Sequence, residues 1–289
     1  MYQQPNAPQS IGGVLDSGFK LYRESLSKVF VIAALSSLVA APGNLAAPYV
    51  LANGFSVRAA VAIVAGLLVI GVIVAALNNA LIARIDSVAC SSPSPSSIGE
   101  ALKIGVRRMP ATILCGLVMS FFVILLLIPG GIVLGSIAPG LTARPPSASP
   151  GSLLLAVLLL FVPVSIVAIW FVFAPSAVVV ERFGPLRSLG FSFTIVRGHW
   201  WRTAALLTLL GILLLVLYVV VGIVAGIYAV VSGFAIGGEQ MPWAFNLVMG
   251  PAVSAFAVPL VYSLLLSIYY DLKVRHQGGD LATRIAAAA

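Results

Sequence analysis

Residues 97–130 read SIGEALKIGVRRMPATILCGLVMSFFVILLLIPG. Up to residue 109 the stretch carries Glu100, Lys103, Arg107 and Arg108 among apolar positions, and from Pro110 onward it has no charge. A helix needs about 20 apolar residues to cross a hydrocarbon core of roughly 30 Å, because every backbone amide there must be bonded within the segment. The stretch therefore joins a basic amphipathic segment directly to a membrane span. SIGGVLDSGFKLYRESLSKVF at 10–30 has the same build.

The whole chain agrees. Of its 289 residues 61% are hydrophobic and 8% charged, against about 25% charged in soluble domains. Six stretches are long and apolar enough to span, at about 29–52, 59–83, 110–138, 152–180, 203–234 and 244–270. The expectation is an all-α, polytopic integral membrane helical bundle with six transmembrane helices. Pro42, Gly43, Asn44 and Pro48 leave the first span either kinked or partly re-entrant, and IPGG at 128–131 either ends the third span or lies within it.

Positive charge near span ends is retained in the cytoplasm, so the basic residues orient the chain. Fourteen of the sixteen fall in four segments: Lys20, Arg23 and Lys28; Arg84, Lys103, Arg107 and Arg108; Arg182, Arg187, Arg197 and Arg202; Lys273, Arg275 and Arg284. The opposite side keeps Arg58 and Arg144. An even number of spans with both termini cytoplasmic accounts for this split, and the location it implies is the cell membrane. The first 27 residues hold no continuous apolar run, so no cleaved signal peptide is expected.

Residues 10–43 align without a gap on 97–130, with nine of 34 positions identical. Composition explains the apolar identities, but not Ser-Ile-Gly at one end and Pro-Gly at the other. A second shift of the same length sets Leu15, Phe19 and Arg23 on Leu189, Phe193 and Arg197. The pattern reads as three parallel repeats of an interfacial amphipathic helix plus two spans, related by an axis along the membrane normal. Its units are about 10–96, 97–183 and 184–270, between a disordered tail at 1–9 and a cytoplasmic tail at 271–289. Six spans with a similarity due to composition is the alternative.

Helical periodicity gives each amphipathic segment an apolar stripe: Ile11, Leu15, Gly18, Tyr22 and Leu26; Ile98, Leu102, Gly105 and Met109; Phe183, Leu186, Leu189, Phe193 and Val196. Ser10 and Ser97 are expected N-caps. Such helices bind anionic head groups by buried apolar area plus charge, so Lys20, Arg23, Lys103, Arg107, Arg108, Arg187 and Arg197 are the candidate lipid contacts. The net charge of +8 points to anionic membrane lipids as partners. Basic residues set between apolar runs form no continuous stripe for nucleic acid.

VLDSGFKLYRESLSKVF at 14–30, FGPLRSLGFSFTIVRGHWWR at 183–202 and YSLLLSIYYDLKVRHQGGDL at 262–281 resemble the bacterial glycerophosphoryl diester phosphodiesterase membrane-domain family, a set of polytopic membrane proteins without a settled activity. IPG at 128–130 and APSAVVVERFGPL at 174–186 fit the same pattern. The resemblance implies a membrane-embedded, non-catalytic module. It does not extend to the soluble phosphodiesterase domain of some members, whose metal chemistry needs histidines that these residues, with only His199 and His276, do not supply. Residues 131–150 look like an insertion relative to that pattern.

Catalytic and metal signatures are otherwise lacking. His276 and Asp280 are four apart, but Gly278 and Gly279 read as a turn, so neither a metal nor another cofactor is expected. Cys90, beside a Ser/Pro tract, is read as an ordinary free thiol rather than an acylation site. All eight acids lie outside the spans, which disfavours proton coupling. Ser36, Ser37, Asn78 and Asn79 are read as bonding between helices or as simply placed near the interface, and Gly222 and Gly226 are expected to pack closely against a neighbour within or between chains. Pro42, Pro129, Pro175 and Pro259 are candidate helix breaks. These observations favour a scaffold or helper associated with lipids or partner membrane proteins, or with further copies of the chain. The alternative is a channel or carrier for a lipid or small apolar solute.

Overall fold

The computed structural model describes residues 4, 7–45, 56–90, 97–142, 149–231 and 243–288. They form α1 (Ile11–Ala40), which tightens into a 3₁₀ turn (Ala41–Leu45), then α2 (Val57–Ala89), α3 (Ile98–Thr142), α4 (Pro150–Phe171), a short α5 (Ala174–Val180), α6 (Pro185–Arg197), α7 (Trp200–Val231) and α8 (Trp243–Ala288). Six segments are long and apolar enough to cross a membrane: Ile11–Asn44, Val57–Ala89, Ile98–Ala138, Pro150–Val180, Trp200–Tyr228 and Val248–Gly278. The protein is an all-α, multi-pass membrane bundle, with no strand among the described residues.

Serine side chains start four of the helices. Ser10, Ser56 and Ser149 each accept a bond from the backbone N–H three residues on. Ser97 and Glu100 form a reciprocal pair, each side chain accepting the other's backbone N–H at 3.2 and 3.0 Å. The caps expected at Ser10 and Ser97 are therefore present.

Contacts run from α1 to α2, α3 and α4 in turn, then from α4 to α6 and α7, from α7 to α8, and from α8 back along α1. The buried core sits at the end of the bundle that carries the basic residues. Val14 and Leu21 of α1 meet Ile82 and Ile85 of α2, Phe173, Ile195, and Tyr269 of α8 there. Toward the other end the most apolar windows of α2, α3, α4 and α7 are almost wholly unburied. This is the surface a hydrocarbon solvent covers without penalty.

Proline placement differs from expectation at two of four positions. Pro42 accompanies the change to 3₁₀ geometry, and Pro175 lies at the start of α5, after the break at Val172 and Phe173. Pro129 and Pro259 do not end a helix: α3 runs through IPGG to Thr142, and α8 runs past Pro259. A proline removes one intrahelical bond. Unwinding in hydrocarbon would strand several backbone groups, so the helix persists. Gly278 and Gly279 likewise continue α8 rather than turning it, and residues 46–52 of the first expected span lie outside the described residues.

The packed faces share Gly18, Gly105, Leu189 and Val196 with the stripes expected and differ at other positions. In α1 the inward side is Val14, Ser17, Gly18, Leu21 and Ser25, and in α6 it is Ser188, Leu189, Ser192, Ile195 and Val196. Larger apolar side chains face outward, with Phe19 42%, Val106 58% and Leu186 73% exposed. Small residues on these faces permit close approach of the helices. Gly18 lies so close to α8 that a Cβ there would fall 2.4 Å from Leu264 Cδ2, and one at Gly105 would fall 2.3 Å from the carbonyl oxygen of Ala76. The amphipathic segment and its span are one continuous helix in α1 and in α3, while Gly198 and His199 separate α6 from α7.

Gly105→Ala should therefore force α3 off α2 and destabilise the protein by about 1–3 kcal/mol, the usual cost of overpacking. Gly116→Ala, where a Cβ meets nothing within 4 Å, should be neutral or slightly stabilising. Thermal unfolding in detergent, followed by circular dichroism, measures both.

Candidate functional site

Three groupings of polar side chains stand out, the first being the basic residues named from the sequence. Lys20, Arg23, Lys103, Arg107, Arg187 and Arg197 are exposed, and Arg108 is half-buried. Lys20 pairs with Asp16 at 2.7 Å along the exposed side of α1. Arg108 Nη1 donates to the carbonyl of Arg182 at 3.0 Å, holding a residue whose φ of 57° lies in the left-handed region. The Arg187 guanidinium lies over the Phe183 ring at 4.3 Å and that of Arg197 lies 6.0 Å from the Phe193 ring. Arg108 is thus committed to the turn before α6, and the other six reach the surface.

The second grouping is a clamp formed by about two and a half turns of α8, from Ser267 to Arg275. Ser267 donates to the Val14 carbonyl at 2.9 Å, Tyr269 to Glu181 at 2.9 Å, Tyr270 to Asp86, and Lys273 to Glu181. Asp271, expected to open a cytoplasmic tail, is fully buried. It accepts the Gln9 backbone N–H at 2.8 Å, and Arg202 and Arg275 at 3.0 Å each. Both arginines also donate to the Gln9 carbonyl, at 2.6 and 2.7 Å. One backbone unit ahead of α1 is thereby tied to α7 and α8. The i,i+4 spacing of Asp271 and Arg275 was the one part of this visible in the sequence.

His199 stands beside the clamp, and burial, followed by the Arg275 and Arg202 charges, holds its imidazole below the ordinary histidine range. Cys90 caps α2, and its thiol is pushed up to about 11 by burial and then by the Asp86 carboxylate. It is therefore protonated and weakly nucleophilic near neutral pH.

The third grouping lies among the spans. A cavity of about 540 Å³ opens between α1, α2, α7 and α8, its polar lining made by Ser36, Ser37, Asn44, Asn78, Tyr218 and Ser254. Ser36 Oγ donates to Asn78 Oδ1 at 3.0 Å, and Ser37 Oγ to the Ala33 carbonyl at 2.9 Å. Just outside it, Thr112 of α3 donates to Asn79 Oδ1 at 3.1 Å. The interhelical roles expected of Ser36, Asn78 and Asn79 are accordingly present, whereas Ser37 bonds within its own helix. A Cβ placed on Gly222 or Gly226 would meet nothing within 4 Å, so the close packing expected of them inside the chain is absent among the described residues.

No group of three or more His, Cys, Asp or Glu suited to a metal ion occurs among the described residues. Comparison with protein-family models, with curated proteins and with solved structures finds no match for this chain.

Asp271→Asn leaves two half-buried guanidinium groups facing a neutral amide, and the cost should approach that of breaking a fully buried pair, about 3–5 kcal/mol. The thermal midpoint should fall accordingly, and limited proteolysis should cut near residue 9 first. A folded-state His199 below its ordinary value of 6.5 binds fewer protons than the unfolded chain does. Stability should therefore decline as pH falls through that value. The decline should be smaller in His199→Gln, measured as the change in midpoint between about pH 7.5 and about pH 5.5.

Proposed function

We propose that the chain is a non-catalytic scaffold or helper of the bacterial cell membrane, seated on anionic lipid with both termini in the cytoplasm. The observation that carries this reading is the pairing of exposed cations with exposed large apolar side chains at the basic end. Phe19 adjoins Lys20 and lies one helical turn from Arg23, Val106 adjoins Arg107, and Leu186 adjoins Arg187. Trp201, 82% exposed, follows Arg197 by four residues. A surface of this kind sinks its apolar groups among acyl chains while its cations remain with phosphate. Each Lys or Arg near an anionic surface contributes about 1 kcal/mol.

The three-unit reading gains support from equivalent small residues. Gly18 packs on Leu264, Gly105 on Ala76 and Ala80, and Ser192 donates to the Trp170 carbonyl at 2.7 Å. These three positions are separated by the same shift that aligns the sequence. In each case the partner is a helix of the unit before it around the ring, and each of those return segments ends near an acid, Asp86, Glu181 or Asp271. The family resemblance is part of the same proposal, and so is the absence of catalysis, which is supported by the engagement of Tyr269 with Glu181, of Tyr270 with Asp86 and of Asp271 with Arg202 and Arg275. A second reading, a carrier for a lipid or small apolar molecule, is favoured by the cavity between α1, α2, α7 and α8.

Brominated lipids test the first reading. The Trp201-dependent part of the fluorescence, obtained by difference from Trp201→Phe, should be quenched several-fold more by brominated phosphatidylglycerol than by brominated phosphatidylcholine. Replacing Lys103, Arg107, Arg187 and Arg197 with Gln should abolish that preference, and equal quenching in the unsubstituted protein would sink the reading. Cysteines introduced at 107 and 197 should react with an impermeant reagent from the same side of the membrane, opposite to one at 58.

A further inference from the structure

The cavity combines three features that select a class of ligand. It holds about 540 Å³, within the range of roughly 300–1,000 Å³ typical of small-molecule sites. None of the described residues lining it is charged, although it is bounded by four membrane helices. An ion or a phosphate would therefore meet no counter-charge there, and charge without a partner is excluded from such depth.

Its polar groups are only partly used. With Ser36 donating to Oδ1 of Asn78, the amide N–H groups of that asparagine are left as donors. The hydroxyls of Tyr218 and Ser254 have no hydrogen-bond partner among the described residues. Pro251, also in the lining, cannot bond the carbonyl four residues earlier, which frees an acceptor in α8. The rest of the wall is apolar, with Val74, Val221 and Val258 on three different helices. Donors and an acceptor beside hydrocarbon walls, with no charge, match the region of a lipid where hydroxyl and ester groups give way to acyl chain.

We propose that the cavity binds an uncharged membrane amphiphile bearing hydroxyl and ester groups, of which a diacylglycerol is the simplest. Asn78, Tyr218 and Ser254 meet its polar atoms, and its chains pass along the exposed apolar face of α7. The inference deepens the carrier reading but does not need transport, since a lipid that binds and never crosses the bilayer occupies the same site.

Photoreactive diacylglycerol added to the full chain in phosphatidylcholine nanodiscs provides the test. Crosslinks are expected on the peptides containing 218–225 and 249–258. Unlabelled diacylglycerol should compete, whereas phosphatidic acid, with the same glycerol and chains but a charged head, should not. Gly250→Leu fills the space, and no atom lies within 4 Å of the added Cβ; Tyr218→Phe removes one hydroxyl from an exposed side chain. Both should lower specific labelling at least fivefold, while Val64→Phe, on the open face of α2, leaves it unchanged. Should Gly250→Leu fail to elute as a single species, Tyr218→Phe decides alone. Label spread evenly over all apolar faces, equal competition by phosphatidic acid, or full labelling of folded variants would each overturn the proposal. A lipid-scrambling assay in liposomes scores the carrier reading separately: binding without movement keeps the site and removes the carrier.

Discussion

A single buried carboxylate organises the basic end of this bundle. Asp271 has no exposed surface and two arginines within 3.0 Å, and it shares those arginines with the carbonyl of Gln9. Burying one acid fully and two guanidinium groups in part is expensive, and the cost is recovered only when every donor and acceptor finds good geometry. The Gln9 peptide unit supplies what the ion pairs leave unfilled, its N–H going to Oδ1 and its C=O to both arginines. The ring closes by packing of α1 along α8, and the backbone ahead of α1 fastens that closure. The adjacent bonds from Ser267, Tyr269, Tyr270 and Lys273 extend that closure to α1, α2 and the turn after α5.

The division between a packed basic end and an open apolar end follows from the change of solvent along the helices. α3 has 45 residues, about 67 Å at 1.5 Å per residue and roughly twice the hydrocarbon thickness. One part of it therefore lies beyond the hydrocarbon, where burying apolar area is favourable, and the core of Val14, Leu21, Ile82, Ile85 and Tyr269 gathers at that end. Within the hydrocarbon, lipid tails satisfy the same side chains, so nothing there compels the helices to close. The cavity between α1, α2, α7 and α8 lies where packing has relaxed but interhelical hydrogen bonds persist.

Fold class was legible because two independent signals agree: lengths of apolar sequence and the sorting of basic residues among the connections. Helix starts at Ser10 and Ser97 were legible because capping is local. The inward faces were legible only in part, since periodicity ranks positions by hydrophobicity while close helix approach also selects small residues such as Gly18 and Ser192. Leu186 scores as core and is exposed; Ser192 scores as polar and is buried with a bond to the Trp170 carbonyl. Pro129 and Pro259 misled for a related reason. A proline in water trades a lost bond for solvent, a trade that hydrocarbon does not offer.

The clamp was illegible for a topological reason. Its members, Gln9, Asp86, Glu181, Arg202 and Asp271, are separated by tens to hundreds of residues, and each reads alone as an ordinary charge or amide at a span end. Their assembly requires the ring to be closed first, so only the i,i+4 pair of Asp271 and Arg275 could announce it. The cavity is different in kind. Ser36 and Asn78 each looked like a routine interhelical bond, and that bond exists, but satisfying one oxygen of Asn78 leaves its amide donors unspent inside a membrane protein. In the binding proposed for the cavity, the amphiphile pairs the donors that the chain leaves unspent there, and its own hydrocarbon is what lets it occupy that depth.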